Sequence, residues 1–126
     1  MLELCAIDLN AAAGWQAWFP YLVCLEQAGE KLLDVAQKCA STTGLDWEKI
    51  NSCYGNGKGS LGKQLVQKAA AETGALNPAH QYTPWVVVNG EPVYTHVNHF
   101  ADFVCKAYTG DKPAECDNPP VGQDDG

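Results

Sequence analysis

Thr83-Pro84-Trp85-Val86-Val87-Val88-Asn89-Gly90-Glu91-Pro92-Val93-Tyr94 is the stretch from which the fold is read. Asn-Gly between two β-rich runs signals a tight hairpin, because both central residues of its turn take φ > 0. The run Trp85–Val88 is apolar without alternation, which predicts a strand covered on both faces. Such a strand normally has neighbours on both edges, and an isolated hairpin is marginal in water. The sequence supplies one neighbour. Its own pattern therefore asks for a strand that these residues do not contain.

Beyond the hairpin, Val97, Phe100, Ala101, Val104 and Tyr108 follow the spacing of an amphipathic helix. Ahead of it the chain reads as four or five helices. MLELCAIDLNAAA is alanine- and leucine-rich and stops at Gly14. Trp15, Trp18, Phe19, Leu22 and Leu25 or Glu26 then recur at helical spacing, with Pro20 inside the run as a kink or a new start. Leu32, Leu33, Val35, Ala36 and Cys39 form a further stripe closed by Gly44. An antiparallel pairing of these two helices would bring Cys24 near Cys39. Asp46 is placed to cap a short helix, DWEKINSCY. After Gly55-Asn56-Gly57-Lys58-Gly59, Leu61, Leu65, Val66, Ala69 and Ala70 carry a last helix to Gly74. Asn77-Pro78 marks a break.

Composition excludes several function classes. The 126 residues are 46% apolar and 18% charged, which suits one globular domain rather than a disordered chain. No run of eighteen apolar residues occurs, so no membrane-spanning helix is expected. Eight lysines and no arginine against fifteen carboxylates, a net charge of −7, argue against nucleic acid as a partner. Residues 111–126 hold Asp111, Glu115, Asp117, Asp124 and Asp125 against Lys112, and read as a solvated acidic tail, loose beyond Cys116.

Cys5, Cys24, Cys39, Cys53, Cys105 and Cys116 are an even set, as in chains from oxidising compartments. Successive cysteines lie 19, 15, 14, 52 and 11 positions apart. That leaves neither the close pair that grips zinc nor a C-x-x-C redox pair. The N-terminus shows no basic n-region and no apolar h-region, so no signal peptide is read in this chain.

Two motifs tempt and fail. Gly57-Lys58-Gly59-Ser60-Leu61-Gly62-Lys63-Gln64 comes within one residue of a phosphate-binding loop, but Gln64 stands where the magnesium-holding hydroxyl belongs. No strand precedes it, so it reads as a glycine-rich connector. His96 and His99 share one helical face but lack a third ligand at suitable spacing, so no metal site is assigned.

The phrase His80-Gln81-Tyr82-Thr83-Pro84-Trp85-Val86-Val87-Val88-Asn89-Gly90 resembles the gamma-interferon-inducible lysosomal thiol reductase family. Supporting pieces occur in order: Leu4-Cys5-Ala6-Ile7, Tyr21-Leu22-Val23-Cys24-Leu25-Glu26, Asn51-Ser52-Cys53-Tyr54, Leu76-Asn77-Pro78 and Phe103-Val104-Cys105-Lys106-Ala107-Tyr108, then Cys116. The resemblance implies an α/β, thioredoxin-like fold, with residues 1–76 as a helical insertion and 77–110 as the closing ββα unit. Residues 111–126 are the tail. It implies reduction of protein disulfides in acidic lysosomal or vacuolar compartments, or after secretion, with no cofactor. Thr83 and Pro84 would hold the substrate chain, Pro84 as a cis-proline, and the six cysteines would be structural.

By the same resemblance, the family's C-x-x-C and its N-terminal βαβ unit would lie upstream of Met1. A truncated chain would then be inactive alone, with no catalytic residue of its own. A partner chain could complete the sheet. Two other readings stand beside this one. One is a non-catalytic, disulfide-stapled helical module that binds through Trp15, Trp18, Phe19 and Tyr21. The other makes Cys105 and Cys116 an unconventional redox pair.

Overall fold

The computed structural model describes residues 1–122 and divides the chain into two compact units, Met1–Glu72 and Thr73–Gly126. It is mostly helical, with one two-stranded antiparallel sheet among the described residues. Asp124 and Asp125 of the acidic tail lie outside the described residues.

The first unit is built from α1 (Leu2–Asn10), α2 (Trp15–Gln27), α3 (Leu32–Thr43), α4 (Trp47–Tyr54) and most of α5 (Ser60–Gly74). Local chemistry sets the joints. Gly14 takes φ +84° after a 3₁₀ turn of three alanines. Gly44, at φ +78°, ends α3 in the left-handed conformation, and the Leu45 amide donates to the Ala40 carbonyl at 2.9 Å. Asp46 caps α4, accepting from the Lys49 amide at 3.2 Å, and that bond is the main reason its carboxyl titrates below the ordinary range. Helix α2 runs unbroken through Pro20, which sits just past the first turn and forfeits one backbone hydrogen bond.

Packing departs from the sequence reading in which face is buried. The core gathers Leu2, Cys5 and Ala6 of α1, Tyr21 and Leu25 of α2, Ala36, Cys39 and Ala40 of α3, and Ile50 and Cys53 of α4. Trp15 and Phe19, expected on the buried stripe of α2, are 59% and 46% exposed. Leu25, the last position of that stripe, is buried, and Tyr21, four positions before it and so on the same face, is buried with it. Cys24 is bonded to Cys39, and this tie sets the rotation of α2 against α3.

Tyr21 carries a consequence of its burial. Its hydroxyl finds no hydrogen-bond partner, and burial, with a smaller push from Glu3, raises its pKa from 10.0 to about 12. Between pH 10 and 12 the unfolded phenol ionises while the native one stays neutral. The unfolded state then binds fewer protons, so this group's contribution falls as pH rises, by up to about 1.4 kcal/mol per pH unit. Tyr21→Phe is expected to remove that alkaline loss. It should also raise stability at pH 7 by about 1 kcal/mol, because it deletes an unpaired buried hydroxyl. Urea denaturation of both proteins at pH 7 and 11 checks this: the gap between them should widen with pH, and a constant gap would refute it.

The second unit holds the hairpin and the last helix. Strands β1 (Val87–Val88) and β2 (Glu91–Pro92) pair antiparallel, Val87 with Pro92 and Val88 with Glu91. Asn89 and Gly90 both take positive φ, +49° and +86°, as the Asn-Gly signal requires. The Val93 amide donates to the Val86 carbonyl at 2.9 Å, carrying the ladder one residue further. Val87 and Val88 are half-buried rather than covered on both faces, and no third strand pairs with β1 among the described residues.

Helix α6 (Phe100–Ala107) follows a 3₁₀ turn over Val97–His99. Its expected stripe, Phe100, Val104 and Tyr108, faces outward, while Phe103 and Ala107 line a hollow with Val88. The tail is not loose directly after Cys116, because the Gly122 amide donates to the Asn98 carbonyl at 2.7 Å. No helix is long and apolar enough to cross a membrane among the described residues.

Candidate functional site

Thiol chemistry would start at the cysteines, and all six are closed. Cys5 is joined to Cys53, Cys24 to Cys39 and Cys105 to Cys116. None is free among the described residues. Cys5, Cys39 and Cys53 lie in the first unit's core with Cys24 at its edge, whereas Cys105 and Cys116 are both half-buried in the second unit. A disulfide has no thiolate to attack a substrate, so each pair acts here as a staple between neighbouring elements.

The near match to a phosphate loop has a packing explanation. A side chain at Gly59 would overlap the Cys53 carbonyl, and at Gly62 it would come within 2.7 Å of both that oxygen and the Met1 sulfur. The two glycines let the start of α5 lie against the end of α4, and that requirement accounts for them. His99, at the end of the 3₁₀ turn, pairs with Asp102 in the first turn of α6 at 3.4 Å, an exposed contact of small energetic weight. No group of three or more metal-ligating side chains converges among the described residues.

Thr83 and Pro84 are exposed, directly ahead of the hairpin. The Thr83–Pro84 peptide bond is cis, and so is Asn77–Pro78, which the sequence marks only as a break. Among the described residues, the backbone from Gln81 to Trp85 makes no backbone hydrogen bond. The polar side chains this segment carries ahead of Trp85 are Gln81, the Tyr82 phenol and the Thr83 hydroxyl.

Around it the structure gathers residues that the sequence reading did not single out as a site. Trp85 meets Tyr82 at 5.1 Å, Tyr94 at 5.6 Å and His80 at 6.2 Å between ring centroids, each pair close to perpendicular. The signal for Tyr94 was present. A two-residue Asn-Gly loop sets the register, and that register puts Tyr94 opposite Trp85. On the other side of the hairpin, Val88, Asn89, Glu91, Phe103, Lys106 and Ala107 line a hollow of about 230 Å³. Its lining is mixed: Val88, Phe103 and Ala107 are apolar, Asn89 is polar, and Glu91 and Lys106 are of opposite charge.

No family model matches the chain. It is 34% identical over 122 residues to a gamma-interferon-inducible lysosomal thiol reductase of Carassius auratus, a match covering 92% of this chain and 45% of that protein. The Mus musculus protein of the same name is 33% identical over 120 residues, covering 92% of this chain and 45% of the relative. A gamma-interferon-responsive lysosomal thiol protein of Arabidopsis thaliana is 29% identical over 117 residues, covering 86% and 47%. The chain thus spans about half the length of the relatives it matches. Agreement over nearly all of these residues with animal and plant proteins alike means that the chain belongs to the gamma-interferon-inducible lysosomal thiol reductase family.

Proposed function

We propose that these residues form the scaffold and substrate-holding portion of a thioredoxin-like thiol reductase, and that by themselves they reduce no disulfide. The observation that carries this reading is the state of the cysteines: six in three disulfides, with no two at C-x-x-C spacing. Reduction needs an attacking thiolate and a second thiol to resolve the mixed disulfide. Neither is present.

Within this reading, residues 77–110 are the closing ββα unit and residues 1–76 the helical insertion. Thr83 and Pro84 hold the substrate polypeptide. The dithiol and the strand beside the free edge of β1 come from a βαβ unit that is not among these residues, in the same polypeptide or in a partner chain. The unpaired edge of β1 and the outward apolar faces of α2 and α6 support that view, since both are surfaces that a further layer would cover. The relatives' names place them in the lysosome, and we assign this protein to the same kind of acidic, oxidising-to-reducing compartment, lysosomal or vacuolar.

A non-catalytic binding module is the second reading; Trp15 and Phe19 of its aromatic set are exposed on α2, whereas Tyr21 is buried and drops out of it. One assay addresses the reductase reading. With excess small thiol at acidic pH, the chain is expected to reduce a protein disulfide no faster than the thiol alone. A rate well above that background, abolished by prior reduction and alkylation of the chain, would overturn it.

A further inference from the structure

After α6 the chain turns back on itself. Cys116 is bonded to Cys105, and further along the tail the Gly122 amide donates to the Asn98 carbonyl at 2.7 Å. The tail therefore runs antiparallel to the helix. Asn98 and Cys105 belong to a continuous 3₁₀ turn and α-helix at i, i+7 spacing, so they stand on one face. Residues 111–122 lie as a strap along that face, tied by one covalent bond and one backbone hydrogen bond.

The bond that closes the strap differs from the other two in access and in what holds its sulfurs. Cys105 and Cys116 are both half-buried, and every residue from Tyr108 to Glu115 is exposed. Cys116 sits in a 3₁₀ turn whose own hydrogen bond is local, its amide to the Pro113 carbonyl at 2.9 Å. In the first unit, Cys5, Cys39 and Cys53 are buried in the core and Cys24 alone is half-buried. Cys53 lines an open hollow of about 380 Å³, but Cys5 behind it is sealed. Parting those sulfurs means moving α1 from α4 or α2 from α3, whereas Cys116 can leave with a single turn of tail.

We propose that Cys105–Cys116 is a redox-sensitive clasp, opened by a small dithiol, whose opening releases the acidic strap and bares the helix face from Asn98 to Cys105. One thiolate of the dithiol attacks a sulfur of the bond and forms a mixed disulfide, while the other sulfur leaves as a thiolate and takes up a proton. The dithiol's second thiol loses its proton, attacks the reagent sulfur of the mixed disulfide and frees the remaining cysteine, which is protonated in turn. The dithiol ends as a cyclic disulfide, oxidised by two electrons, and the chain as two thiols. One backbone hydrogen bond then offsets little of the freedom the strap regains. Pro119 and Pro120 have no amide with which to add another. Once the strap leaves, the two thiols are no longer held together, so the clasp adds no reductase activity and the inference stands apart from the proposed function.

The test is reduction of the folded, full chain by dithiothreitol, with thiols trapped by iodoacetamide at intervals and located by peptide mapping. The first product is expected to carry alkyl groups on Cys105 and Cys116 alone, formed about tenfold faster, or more, than any other. A Cys105→Ser/Cys116→Ser double variant reads the release without reductant or alkyl groups. Its Gly122 amide should lose most of its ¹⁵N heteronuclear NOE, while the Val93 amide, bonded across the hairpin, keeps its parent value. Label appearing first on the cysteines of the first unit, or on all six together, would overturn the clasp. An unchanged Gly122 amide in the double variant would overturn the release. A fall at Val93 as well would make the bond a staple of the whole unit, and would overturn the clasp too.

Discussion

Replacing Cys5 and Cys53 together by alanine is expected to lower the stability of the first unit by about 4 kcal/mol. The bond joins residues 48 apart in sequence, the longest loop of the three disulfides, so it removes the most freedom from the unfolded chain. It also ties α1 to α4 at the centre of the core, where Cys5 is fully buried and Cys53 nearly so. A small domain has roughly 5–15 kcal/mol in all, so this loss takes a large share. The Cys24–Cys39 pair, 15 residues apart, should cost less on the same argument, about 3 kcal/mol. Urea denaturation followed by far-UV circular dichroism measures both. A Cys5/Cys53 double variant within 1 kcal/mol of the parent, on the scale of stability differences the method resolves, would show that α1–α4 packing suffices without the bond.

Gly59→Ala is expected to destabilise the same unit by about 3 kcal/mol, at the upper end of overpacking costs. The added methyl would overlap the carbonyl carbon and oxygen of Cys53. These backbone atoms cannot retreat easily, since Cys53 is held by its disulfide and lies in the last turn of a capped helix. Gly62→Ala is the instructive control. It meets the same oxygen at 2.7 Å, but its other neighbour is the flexible Met1 side chain, and alanine inside α5 gains about 1 kcal/mol of helix propensity. Its net cost should be near 1 kcal/mol or below. If the two variants unfolded at the same urea concentration as the parent, close packing of α5 on α4 would not be the reason for the glycines.

Much of the local structure was legible because its causes are local. Asn89-Gly90 demanded two positive φ values and a tight turn, and has both. Asp46 had a helix start within reach of its carboxylate, and Gly14 and Gly44 stood where helices must stop. An antiparallel reading of two adjacent helices brought Cys24 near Cys39, and the bond is there. At the candidate site, Thr83 and Pro84 were pointed to by the family resemblance alone, whereas Trp85 and Tyr94 became partners only once the ladder was continued past Val86.

Burial was the poorly read quantity. Apolar spacing predicted that Trp15 and Phe19 of α2, and Phe100 and Val104 of α6, would face a core, yet all four are exposed. Periodicity reports that a helix has an apolar face and is silent on what meets it. In α2 the face was chosen by Tyr21, Leu25 and the bond from Cys24, and in α6 by the fit of Phe103 and Ala107 beside Val88.

The sequence by itself determined the elements, the turn, the caps and the absence of a C-x-x-C pair, because each depends on residues within a few positions of one another. Only the tertiary structure decided that Cys5 pairs with Cys53, that Gly59 and Gly62 serve the close packing of α5 on α4, and that three aromatic rings meet beside Thr83. Those outcomes depend on which distant segments come within a few ångströms, and that is set by the packing of whole helices and strands against one another.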